Sequence, residues 1–328
     1  MLAKFLRATL VGGVAALAVG PAVAQDFKPD HPECIAPASP GGGWDFICRT
    51  TAKTLFDLGL IDQVMQVTNM TGGGGGVAFA HVTKERNDDD NLIVAASVST
   101  SARLAQGIFK GSSPDDVHWL ATFGTEYGAI AVDKDSEYQT LKELVEAIKA
   151  DPRSIAIAGG SSVGSYDHIK PMLLGKSAGM DDVRQMKYVA FSGGGEAITS
   201  LLSGSVQVFS GDFSEVRGFY ESGDVRVLAV LGPKRLKAFP DIPTAVEQGY
   251  DVDGLNWRGL YMPAGASDAA KAFWSDAIQK MTESPEFQQA LDDASIEQFN
   301  NFGDDMQAFV KKNIADVEIM SKELGILK

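Results

Sequence analysis

The sequence predicts an α/β fold built as two lobes, on three observations. Short apolar, β-prone runs alternate with helical patterns up to about residue 231. Three glycine-rich turns each follow a strand and open a helix: PGGGWD (40–45), GGSSVGSYD (159–167) and SGGGE (192–196). After Pro233 the texture changes to proline-rich loops (AFPDIPT, YMPAGAS) and then to long helical stretches from Asp268 to the end. A chain that builds one lobe, crosses to a second and returns has this texture.

In order, ECIAPAS reads as a strand before a helix from Asp45, and QVMQVTNM as a strand before the helical GVAFAHVTKER. NLIVAAS precedes TSARLAQG in the same way. Then come the strand GAIAVDK, the helix TLKELVEAIKA, the strand SIAIAG, a helix from about Ser165, the strand KYVAF, the helix EAITSLLSG and the strands VQVFS and VRVLAVLG. The crossings are expected near residues 124 and 231, giving lobe 1 as 25–123 with 232–328 and lobe 2 as 124–231. TGGGGG (71–76) is a turn signal.

Residues 1–24 read as a cleaved export signal: Lys4 and Arg7 precede an apolar run, and Ala22-Val23-Ala24 is an A-x-A cleavage site. The apolar run is short and broken by Gly12, Gly13, Gly20 and Pro21, against the roughly 20 apolar residues of a spanning helix. With 43 acidic against 29 basic residues the net charge is -14. Losing the segment removes two bases and no acid, so the remainder is more acidic still. That excludes nucleic acid and anionic membrane surfaces as general partners. It leaves a small anion possible, because local donors decide whether a pocket holds one.

The two cysteines, Cys34 and Cys48, bracket the first glycine turn. In an oxidising compartment such a pair forms a disulfide worth about 3 kcal/mol by loop entropy; the alternative is two buried thiols. No histidine pair accompanies them, so no zinc spacing is matched and no metal or cofactor is expected.

Helix N-termini expose unpaired N–H groups, and glycine lets a ligand approach them. The three turns lack the G-K-[ST] of a phosphate loop and the G-x-G-x-x-G spacing of a dinucleotide site. Together they suggest an anion site made without a cation, in which Lys170 and Lys176 are peripheral and Gly43→Val blocks the ligand while sparing the fold. Gly160 to Gly164 form a literal G-x-S-x-G, the context of a hydrolase nucleophile. A base should follow, yet the only later histidine is His168, in the same turn, so Ser161, Ser162 and Ser165 read as neutral donors. Asp45, Asp167 and Asp212 are helix caps or ligand contacts; Trp44 and Tyr166 are an apolar wall or plain packing.

ECIAPASPGGGWDFIC, SSVGSYD, YVAFSGGGE, VQVFSGD and RLKAFPDIPTAVEQGYDV together resemble the substrate-binding receptors of tripartite tricarboxylate transporters, the Bug receptors, and in particular the tricarboxylate-binding members. The resemblance runs from about Glu33 to the C-terminus. It implies a type II periplasmic-binding fold, two α/β lobes with a ligand cleft between them, no catalysis, and a periplasmic monomer. It further implies a small di- or tricarboxylate, citrate-like, handed to the large and small membrane subunits of a permease, with a sensor kinase open as a further partner. By position, Gly42, Gly43, Trp44 and Asp45 form the first clamp. Ser161, Ser162, Gly164 and Ser165, with Tyr166 and Asp167 beside them, form the second. Phe191, Gly194, Gly195 and Asp212 line the second lobe, and Ser97, Ser99 and Thr100 follow NLIVAAS. An exported serine hydrolase and a receptor for an aromatic carboxylate, stacked on Trp44 and Phe191, are the alternatives.

Overall fold

β4 (Val117–Asp133) is the longest of the described strands and belongs to two sheets. The structure, a computed structural model, describes residues 27–328, so the expected export signal lies outside the described residues. Before β4 come β1 (Glu33–Ala36), α1 (Gly43–Asp57), β2 (Gln66–Asn69), α2 (Gly76–Lys84), β3 (Leu92–Ser97) and α3 (Val98–Ala105). After it come α4 (Leu141–Ala150), β5 (Ala156–Gly159), α5 (Tyr166–Ser177), β6 (Lys187–Ala190), α6 (Gly194–Leu202), β7 (Val208–Asp212), α7 (Phe213–Glu221) and β8 (Val225–Leu231). The chain closes with β9 (Leu255–Pro263), α8 (Asp268–Glu283), α9 (Pro285–Asp293), β10 (Glu297–Phe302) and α10 (Gly303–Glu323).

The first sheet runs β2-β1-β3-β9-β4-β10, with β1, β2 and β3 parallel and the rest antiparallel. The second runs β8-β4-β7-β5-β6. Up to Tyr127, β4 pairs with β9; from Gly128 it pairs with β7 and β8. β4 thus passes from the first sheet to the second within one extended strand. Leu236 and Ile242 still pack on the second lobe and Val230 bridges Thr244, so the chain goes back between Thr244 and Leu255.

β3 is buried throughout because strands pair on both sides of it and helices cover both faces, which explains its unbroken apolar run. The apolar cores follow the lobes: one cluster gathers Cys34, Ile47 and Trp274 in the first lobe, another Phe209, Phe213 and Ile198 in the second. A third joins residues of both, from Ile35 to Met172.

Two strands were not expected in a region read as loops and helices. LNWRGLYMP carries an arginine, a glycine and a terminal proline, yet it forms β9 at the centre of the first sheet. Gly259 permits the pairing, since a Cβ there would lie 2.2 Å from the Ala121 carbonyl. β10, EQFNNF, is a largely polar strand that pairs with β4 among the described residues. Helix α7 was also missed; Gly218 lies within it.

Candidate functional site

The strand-to-helix junctions β1–α1, β3–α3, β5–α5, β6–α6 and β7–α7 converge where the two sheets meet. This is where open α/β sheets bind ligands, at the carboxyl ends of their strands. They enclose a cavity of about 30 Å³. Gly42, Gly43 and Trp44 line it from the first clamp, Ser97 and Ser99 from the head of α3, and Gly160, Ser161 and Asp167 from the second clamp. Gly193, Asp212 and Glu215 complete the second lobe's wall, and Ala38, Asn256 and Arg258 the first's.

A buried charge network forms the wall. Arg258 holds Glu126 through Nε and Asp212 through a guanidinium nitrogen at 2.6 Å. Lys170, with no exposed surface, donates to Asp212 at 2.6 Å, to Asp167 at 3.1 Å and to the Gly211 carbonyl at 2.9 Å. Asn256 donates to Asp212 (2.6 Å) and accepts from Val98 N–H (3.2 Å), so α3 is tied to the same carboxylate. Ser161 donates to Asp167 (2.7 Å) and Ser165 to Ser161 (2.5 Å). Ser214 donates to Glu126. Glu215 accepts from Gly43 N–H across the cleft and from Asp212 N–H, each at 3.2 Å.

Burial would raise Asp212, but Lys170 and Arg258 outweigh it and hold the carboxyl below its usual range. Lys170 and Arg258 are raised in turn, the charges of their carboxylate partners overcoming burial. Glu126 is raised by burial, against the pull of Arg258. Glu215 is pushed up to about 8, by burial first and then by the charges of Asp167 and Asp212.

This corrects the expectation of a site without cations. Lys170 is not peripheral; only Lys176, paired with Glu323 at the surface, is. Nor is Gly43→Val innocent toward the fold, because even a Cβ at Gly43 would lie 2.2 Å from a guanidinium nitrogen of Arg258.

The expected site residues divide. Gly42, Gly43, Trp44, Ser97, Ser99, Ser161, Asp167 and Asp212 face one cavity. Asp45 is buried but turned to Gly41 N–H, Arg49 and Asn69. Thr100 caps α3 by accepting from Ser97 N–H. Ser162 and Gly164 face the first lobe: Arg103 donates to the Ser162 hydroxyl (2.5 Å) and to the Val163 carbonyl, and Gln106 to the Gly164 carbonyl. Ser165 touches the network only through Ser161. Tyr166 is buried in the core, its hydroxyl toward the Asp253 carbonyl, and Phe191 packs on the second lobe's core. Gly194 lies against Glu215, where a Cβ would sit 2.4 Å from the carboxyl carbon, whereas Gly195 faces open space. Among the described residues the Trp44 indole N–H is buried without a hydrogen-bond partner.

The hydrolase arrangement is not assembled. Ser162 is held by Arg103, while His168 accepts from Gly164 N–H through Nδ1, stacks near Tyr188 and is driven down to about 4 by burial and Arg103. Among the described residues, no group of three or more His, Cys, Asp or Glu is arranged to hold a metal. Cys34 and Cys48 form a disulfide, fastening α1 to β1.

Glu215, Glu126, Asn256 and Arg258 are not singled out by the sequence reading, and Lys170 reads there as peripheral. Asp212-x-x-Glu215 is a capping-box pattern that could have flagged Glu215. Arg258, a charge inside an apolar strand, is a buried-polar signal once the strand is seen.

Residues 48–326 match the tripartite tricarboxylate transporter family receptor. BugT of Bordetella pertussis is 28% identical over 259 residues, 77% of this chain and 76% of its own. The structure of the periplasmic binding protein BugD superposes with a TM-score of 0.82 at 22% identity, covering 92% of this chain and 99% of its own. MatC of Rhodopseudomonas palustris with bound malate superposes with a TM-score of 0.77 at 21% identity, over 88% of this chain and 98% of its own. The two-lobed architecture is therefore the periplasmic-binding fold, and the chain belongs to the tripartite tricarboxylate transporter receptor family.

Proposed function

We propose that the protein is a periplasmic receptor that captures a small di- or tricarboxylate, citrate-like in size and charge, and delivers it to the membrane subunits of its transporter without chemical change. One observation carries the reading: the α1 N-terminus already has a carboxyl group on it, that of Glu215, whose oxygen accepts from Gly43 N–H. The junction offers a free helix N–H to a carboxyl oxygen, the donor that a ligand carboxylate uses at a helix start. The malate bound by MatC supports the same ligand class. Export through a cleaved signal fits a receptor with a disulfide, and no described helix is long and apolar enough to cross a membrane.

A cavity of about 30 Å³ has room for two or three waters at roughly 10–15 Å³ each. Capture therefore requires the lobes to part. We take the moving bodies to be the two sheets with their helices, hinged at Tyr127–Gly128 and between Thr244 and Leu255.

Thermal-shift measurement against malate, citrate and related acids tests the reading, since a ligand of the native state raises Tm by mass action. A saturable rise without turnover is expected. Ester hydrolysis abolished by Ser162→Ala, with no acid raising Tm, would replace it with the hydrolase.

A further inference from the structure

Two cavities meet at Glu215. The inner one is described above. An outer one of about 490 Å³ opens between α1, α7 and α9, with Phe46 and Arg49 on one side and Arg217 on the other. Gly42, Gly43 and Glu215 line both. The outer volume lies within the usual range of roughly 300–1,000 Å³ for small-molecule sites, and the inner one far below it.

Glu215 is rooted in the second lobe, but its carboxyl rests on the first lobe's helix. The bond to Asp212 N–H is an ordinary capping-box contact and explains nothing beyond α7. The bond to Gly43 N–H is of another kind, because it spans the cleft between residues 172 apart in sequence. Room for the carboxyl is built in on the second lobe's side. A Cβ at Gly194 would fall 2.4 Å from its carbon, and one at Gly211 would fall 2.8 Å from an oxygen. Beside it the two lobes also touch through Ser39, which bonds the Ser192 carbonyl and Glu196, and further off through Arg103 on Ser162 and Val163 and through Arg258 and Asn256 on Asp212.

We propose that the Glu215 carboxyl is an internal stand-in for the ligand's carboxyl group: it latches the cleft shut from within, and a ligand entering from the outer cavity displaces it from the α1 N-terminus. The proposal rests on the carboxylate-receptor reading and adds a competitor to it. Apparent affinity is then the intrinsic affinity scaled by the fraction of molecules whose latch is open. Glu215 sets which acids are captured, because only a ligand that outbids a tethered carboxyl group is retained.

The test uses the mature chain, with Glu215→Ala, Glu215→Asp and Glu215→Gln. Small-angle scattering without added acid reads the latch. Glu215→Ala, and Glu215→Asp, which keeps the carboxyl but is one methylene too short to span the cleft, should both show a larger radius of gyration than the parent. Glu215→Gln, which retains an acceptor oxygen, should stay close to it. Calorimetry with malate and with citrate reads the displacement, and Glu215→Ala should bind whichever acid the parent binds at least tenfold more tightly. Scattering of the Ala and Asp variants identical to the parent's sinks the latch whatever binds. Weaker binding by Glu215→Ala makes Glu215 an ordinary ligand contact and overturns the displacement. If neither acid binds any form, the carboxylate reading fails and takes the displacement with it, while the scattering still decides the latch.

Discussion

The two clamps look alike in sequence, glycines then an aspartate at a helix start, and the structure fastens them by different chemistry. In the first, α1 is tied to β1 by the Cys34–Cys48 disulfide, with Cα atoms 5.6 Å apart. In the second, α5 is tied to β7 by Lys170, which reaches the Gly211 carbonyl and Asp212. The aspartates differ too. Asp45, third in its helix, turns back to Gly41 N–H and out to Arg49; Asp167, second in its helix, faces the cavity. One position is about 100° of helix rotation, enough to make one aspartate a local cap and the other a wall of the site. A covalent staple is indifferent to pH and sensitive to reductant; a buried ion pair is the reverse.

The largest effect should come from the ionic staple. Lys170→Met leaves Asp167 and Asp212 short of a cation in the interior, and breaking a buried pair typically costs about 3–5 kcal/mol. Urea denaturation should show it, while Arg49→Ala, which removes the half-exposed partner of Asp45, should cost under about 1 kcal/mol. Equal losses would mean the two aspartates are equivalent after all.

Replacing both Cys34 and Cys48 by alanine should cost about 3 kcal/mol by the loop-entropy account, and reductant should do the same to the parent. Lys170→Met should be insensitive to reductant beyond that shared loss. A variant without cysteines that melts like the parent would show that packing alone fixes α1.

Gly43→Val should weaken malate or citrate binding by about 1.5–3 kcal/mol, the scale of one or two charge-assisted hydrogen bonds. It should also lower stability by about 1–3 kcal/mol through overpacking, because Arg258 is pinned by two carboxylates and cannot step aside. Gly195→Ala meets open space and is the control. Full stability in Gly43→Val would show that Arg258 is free to move.

The smallest effect is one of pH. Glu215, at about 8 when the cleft is shut, is surrounded by Asp167 and Lys170 of α5, Asp212 of β7 and Arg258 of β9, itself paired with Glu126 of β4. Once released to water its carboxyl returns toward its ordinary 4.5. The shut form holds the proton more tightly, so it is favoured at low pH and loses ground as pH rises from about 4.5 to about 8, by up to tenfold per unit. The radius of gyration without added acid should grow from pH 5 to pH 8.5 in the parent and stay flat in Glu215→Ala. A parent that compacts with rising pH would reverse the assignment.

By itself the sequence determined what depends on neighbours along the chain. Alternating apolar runs and helical patterns gave the α/β class, because periodicity is a local property of a chain with one face to bury. The glycine turns were legible as helix starts, since α1, α5 and α6 begin at or just after them. The cysteines that bracket the first turn were legible as a staple. Only the tertiary structure decided which side chains complete the site. Arg258 meets Glu126 from 132 residues away, and Glu215 meets Gly43 from 172. β9, which carries Arg258 and Asn256, became visible only through its pairing with β3 and β4, for its arginine and glycine blur any strand period. Lys170 looked like a surface lysine because burial of an amine depends on the carboxylates the fold brings to it, and these come from its own helix and from β7. Local pattern therefore determined where helices begin, and long-range pairing decided the charge of the space they enclose.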